Sequence, residues 1–320
     1  MIIKDRVYGK IEIEEPILLE LLKSPSVLRL KNISQFGIPD KYYHLKNFNR
    51  YEHSIGVMIL LKKLGATLEE QVAGLLHDVS IPAFSHVVDW VLGEGQRGIE
   101  DYHDKLHKIF IENTEIPKIL VKHGFDLERI LDEHNFTLLE KSAPDLCADR
   151  VDYSLREFKH WLNPKIVNTC VEGLLNYNGE IVFKNKKIAF DFAVHYLKLQ
   201  TQHWGGYEAM MRYHLFSSIL KIAIEEGILS EKDFWKDEQW ILNNLEKSRN
   251  RKIKEGLKIL KNKKLERVKN SSGEKVIKKF RYVDPKIISN GEVFKLSQVC
   301  SNFKLILNKH KEINEKGLIV

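Results

Sequence analysis

Residues 67–78 read Thr67-Leu68-Glu69-Glu70-Gln71-Val72-Ala73-Gly74-Leu75-Leu76-His77-Asp78, an apolar helix with an imidazole and a carboxylate side by side in its last turn. Either group is costly to bury unless it is paired or bound to a metal. Thr67 followed three residues later by Glu70 has the form of a capping box, which starts the helix at Leu68. The preceding residues 51–64 predict another apolar helix, ended by Gly65, with His53 in its first turn. Two antiparallel helices joined by a short turn bring the first turn of one beside the last turn of the other. A later helix carries Asp149 in Cys147-Ala148-Asp149-Arg150-Val151-Asp152-Tyr153. Two imidazoles and two carboxylates, His53, His77, Asp78 and Asp149, suit one divalent transition metal (iron, manganese, nickel or zinc, with magnesium a further candidate) that keeps positions open for water and substrate.

Outward from this pair the chain reads as mainly α with small β elements. Residues 1–15 alternate around Gly9 and predict a short hairpin. Apolar residues from Pro16 to Phe36 recur at helical spacing, and Ser24-Pro25 divides them into two helices. Residues 37–46 and 79–85 read as loops. Helices are predicted at 86–93, 101–112 and 115–123, and from about Pro144 to Trp161, with proline tolerated in the first turn. Residues 180–190 predict a hairpin around Asn185-Lys186, and 192–226 a long helical region closed by Gly227. Helices continue through 231–264. Ser271-Ser272-Gly273 suits a turn between Val268 and Val276. A strand near Phe280–Val283 and a helix near Leu296–Lys309 complete the chain. These readings divide it into a catalytic part, 1–227, and a basic, mixed α+β C-terminal region, 228–320, expected to serve assembly or partner binding.

The 320 residues suffice for one large domain or two modest ones. No apolar run approaches membrane-spanning length, and the N-terminus lacks the pattern of a signal peptide. Cys147, Cys170 and Cys300 are scattered, which fits buried thiols in a reducing cytosol rather than a disulfide framework. A formal net charge of +7, concentrated between Arg251 and Lys279, suits an anionic partner without choosing one.

The histidine–aspartate dipeptide alone is weak evidence, but its flanks carry more. Asn49-Arg50-Tyr51-Glu52-His53-Ser54-Ile55-Gly56-Val57, Ala73 to Asp78, Pro82-Ala83-Phe84-Ser85-His86 and Asp149-Arg150-Val151-Asp152-Tyr153 resemble, in order, the successive motifs of the HD-domain phosphohydrolases. The deoxynucleoside triphosphate triphosphohydrolases, including the sterile-alpha-motif HD type, are the branch that matches best. Asp5 to Ile13 and Leu28 to Phe36 also resemble that branch's opening hairpin and second helix. The resemblance covers about residues 2–225 and is specific in the first 160. It implies an HD-type helical bundle and the metal set above. It implies that His86, Asp89 and His103 handle phosphates or proton transfer, that Arg50 contacts phosphate, and that Gln35, Tyr153 and Glu157 read the sugar, where a shorter carboxylate than Glu157 is usual. It further implies a nucleotide substrate and assembly into dimers or tetramers.

Three departures stand out. The first histidine of the family's loop after the dipeptide is here Ile81. Trp204 falls where the family has a phosphate-binding arginine, so Arg212, two turns further on, is the expected substitute. Most positions of the nucleotide-activation site are changed, Leu28 and Lys31 among them, and only Asp5 matches. These changes spare the metal set and weaken the expectation of triphosphate specificity and nucleotide activation.

Other features have plainer readings. His44, His107, His123, His134, His160 and His195 carry no motif and read as surface or core residues. Trp204, Tyr207 and Tyr213 sit on an apolar helix and are more often core than ligand contacts. The lysine run is more often a solvated helix face than a nucleic-acid surface, since no aromatic residues interleave with it. The expected activity is metal-dependent hydrolysis of a nucleotide by metal-activated water. The alternatives are a nucleotidase or phosphodiesterase of the same family, or a non-catalytic protein that senses nucleotides or grips nucleic acid through its C-terminal region.

Overall fold

Helices Arg50–Lys63 and Leu68–Leu76 pack along each other, and Gly65, at φ +74°, turns the chain between them. This computed structural model describes residues 1–39, 41–43, 48–93, 95, 99, 102–262, 264–265, 275–276 and 279–319; for His103, 275–276 and 318–319 it describes the backbone alone. Helix Ala148–Trp161 lies against Arg50–Lys63, and helix Lys186–Leu199 packs on it in turn. Helix Tyr207–Glu225 covers Val87–Leu92 and is itself covered by Arg251–Leu260. The fold is mainly α with small β elements. No helix among the described residues is long and apolar enough to cross a membrane.

Most capping signals act where they were read. Ser24 Oγ accepts from Val27 N, and Pro25 starts the helix Pro25–Arg29. Thr67 Oγ1 accepts from Glu70 N at 3.2 Å. The Glu70 carboxylate, however, accepts Leu138 N (2.7 Å) and Leu139 N (3.0 Å), tying the segment before Ala148 to this helix. Ile2–Asp5 and Gly9–Glu12 form the expected hairpin.

Several boundaries differ from the sequence reading. The hairpin expected around Asn185-Lys186 turns at Asn178-Gly179 and joins Leu174–Tyr177 to Glu180–Phe183. Both turn residues have positive φ (51° and 77°), the conformation that Asn-Gly pairs adopt most readily. Asn185 caps the next helix by accepting from Ile188 N at 3.0 Å. Helix Ala148–Trp161 starts at Ala148 and leaves Pro144 in the preceding loop. Residues 192–226 are not continuous: a π-helical turn, Gln200–Trp204, and Gly205-Gly206 interrupt them. The strand expected at Phe280–Val283 is instead irregular, and strands follow at Lys286–Ser289 and Glu292–Lys295. The turn expected at Ser271-Gly273 lies outside the described residues.

The C-terminal residues are built into the rest of the molecule. Strand Lys286–Ser289 pairs in parallel with Glu180–Phe183, giving one four-stranded sheet from both sides of position 227. One continuous apolar core includes Ile241, Leu257, Val283 and Phe303 together with Ile59, Leu155 and Phe216. On the final helix, Ser301–Glu315, Phe303 and Leu307 are buried within the chain, while Leu305 and Ile313 are exposed. Helix Arg251–Leu260 buries Ile253, Leu257 and Leu260 and turns Arg251, Lys252, Lys254 and Lys258 outward, the pattern of a solvated amphipathic face.

Candidate metal centre and its cleft

The ends of three helices meet where the four predicted ligands gather. His53, in the first turn of Arg50–Lys63, is fully buried. Its Nε2 lies 2.9 Å from Asp149 Oδ1 and 3.7 Å from Asp78 Oδ2. His77, at the C-terminal cap of Leu68–Leu76, turns Nδ1 onto the Gly74 carbonyl at 2.8 Å. That contact leaves Nε2 directed at the cluster, 3.5 Å from Asp78 and 3.6 Å from Asp149, too far for ordinary hydrogen bonds. His77 Nε2 is buried and has no hydrogen-bond partner. The donor atoms of His53, His77 and Asp149 all lie within 4.8 Å of one another, and mixed nitrogen and oxygen donors at that spacing fit a divalent cation. The orphaned nitrogen fits the same group, because a buried acceptor without a partner is otherwise a cost.

Without a cation the charges lean on each other. Burial would raise the Asp78 carboxyl, but Arg50, His77 and His53 hold it well below the usual range. Burial would lower the His77 imidazole, but Asp78 and Asp149 push it up to about 10. Arg50, for which the resemblance implies a phosphate contact, donates its guanidinium to Asp78 Oδ2 at 2.7 Å, to Ser85 Oγ at 3.1 Å and to the Gln35 carbonyl at 3.3 Å.

Asp152 stands in the same motif as Asp149, without a role implied by the resemblance. It is fully buried, and its Oδ2 lies 2.8 Å from His53 Nδ1 and accepts Arg156 Nε at 2.7 Å. A carboxylate behind a ligating imidazole fixes the ring and raises its basicity. Gly56 makes the approach possible: a Cβ there would stand 1.9 Å from Arg156 and 2.1 Å from Asp152. Asp152→Ala is expected to weaken metal affinity about 10- to 100-fold, and Asp152→Asn, which keeps an acceptor, by less. Competition against a chelator measures this, and parental affinity in Asp152→Ala would show that the contact does not position His53.

The cluster forms the floor of a cleft with an inner cavity of about 380 Å³ and an outer one of about 930 Å³; His77, Asp149, Arg150 and Tyr153 line both. Gln35, Arg50, His86, Glu157, Trp204 and Tyr213 line the inner part. His86 Nδ1 lies 3.2 Å from Asp89 Oδ2, and Asp89 Oδ1 accepts Tyr102 N at 2.9 Å, so Asp89 holds His86 and the start of helix Tyr102–Glu112 together. His103 lies on that helix, and its side chain is outside the description. Tyr153 meets Tyr196 hydroxyl to hydroxyl at 2.7 Å, and Trp204 Nε1 donates to Glu157 at 2.7 Å.

Other sequence expectations change here. Arg212 is fully buried and lines neither cavity: it binds Glu208 and the carbonyls of Tyr42, Leu260 and Asn262. It is a structural clamp between helices and cannot replace the missing arginine. Ile81 packs with Leu30 and Ile33, away from the cleft, so hydrophobic burial occupies the position of the family's loop histidine. His107, read from sequence as surface or core, lines the outer cavity with Nδ1 2.7 Å from Ser80 Oγ. Asp104, Glu133, Glu140, Lys279 and Arg281 line both cavities and were missed. Burial and the charge of Asp149 push Glu140 up to about 7.

The loop that carries His86 is held from the C-terminal region. Phe84 and Ser85 have φ of 67° and 46°, unusual for residues other than glycine. Glu238 Oε1 accepts Phe84 N at 3.0 Å and Ser34 N at 2.8 Å, while Oε2 accepts Ser34 Oγ at 2.6 Å. Ser85 Oγ donates to the Ser34 carbonyl and accepts from Arg50, so the network runs from Glu238 to the guanidinium that grips Asp78.

Comparison with known proteins agrees with this geometry. The HD domain family model matches residues 50–157. An uncharacterized protein of Bacillus subtilis is 37% identical over 330 aligned positions, covering 100% of this chain and 98% of the relative. A metal-dependent phosphohydrolase of Cordyceps militaris is 31% identical over 243, covering 73% and 70%. A deoxynucleoside triphosphate triphosphohydrolase of Danio rerio is 27% identical over 146, covering 39% of this chain and 23% of that protein. The crystal structure of a hypothetical protein from Aquifex aeolicus superposes with a TM-score of 0.71 at 19% identity, over 95% of this chain and 93% of that one, which shows a shared fold. Helical bundle, histidine–aspartate cluster and cleft define a metal-dependent hydrolase. The chain belongs to the HD-domain family of metal-dependent phosphohydrolases.

Proposed function

We propose that the chain hydrolyses a phosphate bond of a nucleotide, with His53, His77, Asp78 and Asp149 holding one divalent transition metal ion. The observation that carries this reading is the buried, unpartnered His77 Nε2 beside two carboxylates on the floor of a cleft. A bound divalent metal supplies Lewis acidity and lowers the pKa of a water, a source of nucleophile at neutral pH. The chain's own residues do the rest. Asp152 fixes the His53 ring and Arg50 fixes Asp78. His86, braced by Asp89, can pass a proton to the leaving oxygen. Gln35, Tyr153, Glu157 and Trp204 enclose an inner cavity large enough for a small organic group, and we assign the sugar and base to it.

With Arg212 locked in the core and Trp204 bonded to Glu157, the helical bundle offers few cations for a long phosphate chain. A longer phosphate chain, such as the triphosphates named for the Danio rerio relative, would have to find its cations outside the bundle. The test is a screen of nucleoside mono-, di- and triphosphates with metal-loaded protein, products identified by mass. The expected result is chelator-sensitive, multiple-turnover release of phosphate. Binding without turnover across the whole panel would instead support a nucleotide sensor.

A further inference from the structure

We infer that Lys279 and Arg281, on the irregular segment between Lys279 and Asp284, form a phosphate-binding wall that takes the part of the substrate's anionic tail lying away from the metal centre; this rests on the phosphohydrolase reading above and deepens it. Both residues line the inner and the outer cavity, with Asp149 and Arg150. No other described lysine or arginine beyond position 227 lines either cavity. Arg281 lines the outer cavity together with Tyr153 and Tyr196, the tyrosine pair beside His53, and its charge opposes the rise that burial imposes on both phenols.

The segment is fixed at both ends. Gln200, buried in the π-helical turn, donates from Nε2 to the Lys279 carbonyl at 3.2 Å. At the other end Asp284 N donates to the Pro144 carbonyl at 3.0 Å, the Asp284 carboxylate accepts Ser297 N and Oγ, and Val283 is fully buried. Between these points Phe280 stacks on Tyr282 with ring centroids 5.5 Å apart, and Lys311 sits 4.5 Å over the Tyr282 ring. Cations held on a fixed backbone recognise phosphate oxygens without ordering a loose loop first.

Arg50 and Arg150 also line the inner cavity, each with partners inside the protein. Arg50 is paired with Asp78, and Arg150 donates to the Asp145 and Lys141 carbonyls and to Glu140. Asp104 and Glu133 line the same cleft and repel an anion there, so the attraction that a second phosphate group needs has to come from the cations of the wall.

The test uses full-length, metal-loaded protein and two inorganic probes, orthophosphate and tripolyphosphate, titrated calorimetrically into the parent, Lys279→Ala, Arg281→Ala and Arg281→Lys. Each alanine variant is expected to weaken tripolyphosphate binding about 10-fold or more, the loss of one charge-assisted contact, and orthophosphate binding about 3-fold or less. Arg281→Lys should recover part of the loss. Unchanged tripolyphosphate affinity in both alanine variants overturns the inference, and so does an equal loss for both probes. If tripolyphosphate binding depends on these residues but no nucleotide is turned over, the wall stands and the hydrolytic reading fails. If nucleotides are turned over with KM unchanged in both variants, the wall fails and the hydrolytic reading stands.

Discussion

A chain ending at Gly227 is expected to lose its metal site and to unfold or aggregate, although the sequence alone suggested that the C-terminal region was separable from it. Removal takes strand Lys286–Ser289 from its parallel pairing with Glu180–Phe183 and strips helix Arg251–Leu260 from Tyr207–Glu225. It exposes apolar faces that Leu257, Leu260, Val283 and Phe303 now cover. A single buried side chain of this size is worth about 1.5–3 kcal/mol, against a total stability of roughly 5–15 kcal/mol for a typical domain. Removal also deletes Glu238, which holds Phe84 and Ser34 and through them Ser85 and Arg50. Loss of the cooperative thermal transition, with metal no longer retained on gel filtration, would bear this out. A soluble truncation that unfolds cooperatively and keeps its metal would show that the two parts are independent.

Asp78→Ala is expected to lose the metal and to cost about 3–5 kcal/mol of stability as well, because it strands the buried Arg50 guanidinium. The salt bridge at 2.7 Å joins two side chains that are each 6% exposed, so the guanidinium loses its charged partner where solvent compensates little. Adding Arg50→Met should recover part of the stability and none of the metal. A thermodynamic cycle of the parent, the two single variants and the double variant isolates the coupling. Additive effects of the two substitutions would mean that the pair is incidental, and parental metal content in Asp78→Ala would remove Asp78 from the ligand set.

How legible all this was in the sequence depends on how far apart the partners lie. His77-Asp78 at a helix end and His53 in the first turn of the preceding helix are local patterns, and the geometry joins them as the helix periods imply. Asp152 was equally local, one turn beyond Asp149 on the same helix face, and could have been found by asking what accepts the second nitrogen of His53. The hairpin at Asn178-Gly179 was also written locally, but the apolar run after it drew the turn too far downstream. Arg212 was misplaced for another reason. The π-helical turn Gln200–Trp204 and Gly205-Gly206 alter the winding, so a register counted at the α-helical period fails beyond them. Lys279, Arg281 and Glu238 could not be read, since their places follow from a strand pairing and from side-chain contacts to loops that join segments distant in sequence.

The central claim is that His53, His77, Asp78 and Asp149 hold one catalytic metal ion. Elemental analysis of the purified full-length chain beside a His77→Ala variant tests it most directly, since His77 Nε2 has no other partner. The account predicts about one transition metal per parent chain, as expected for a mononuclear site, and a near-complete loss in a variant that remains folded. Equal metal content in parent and variant would contradict it.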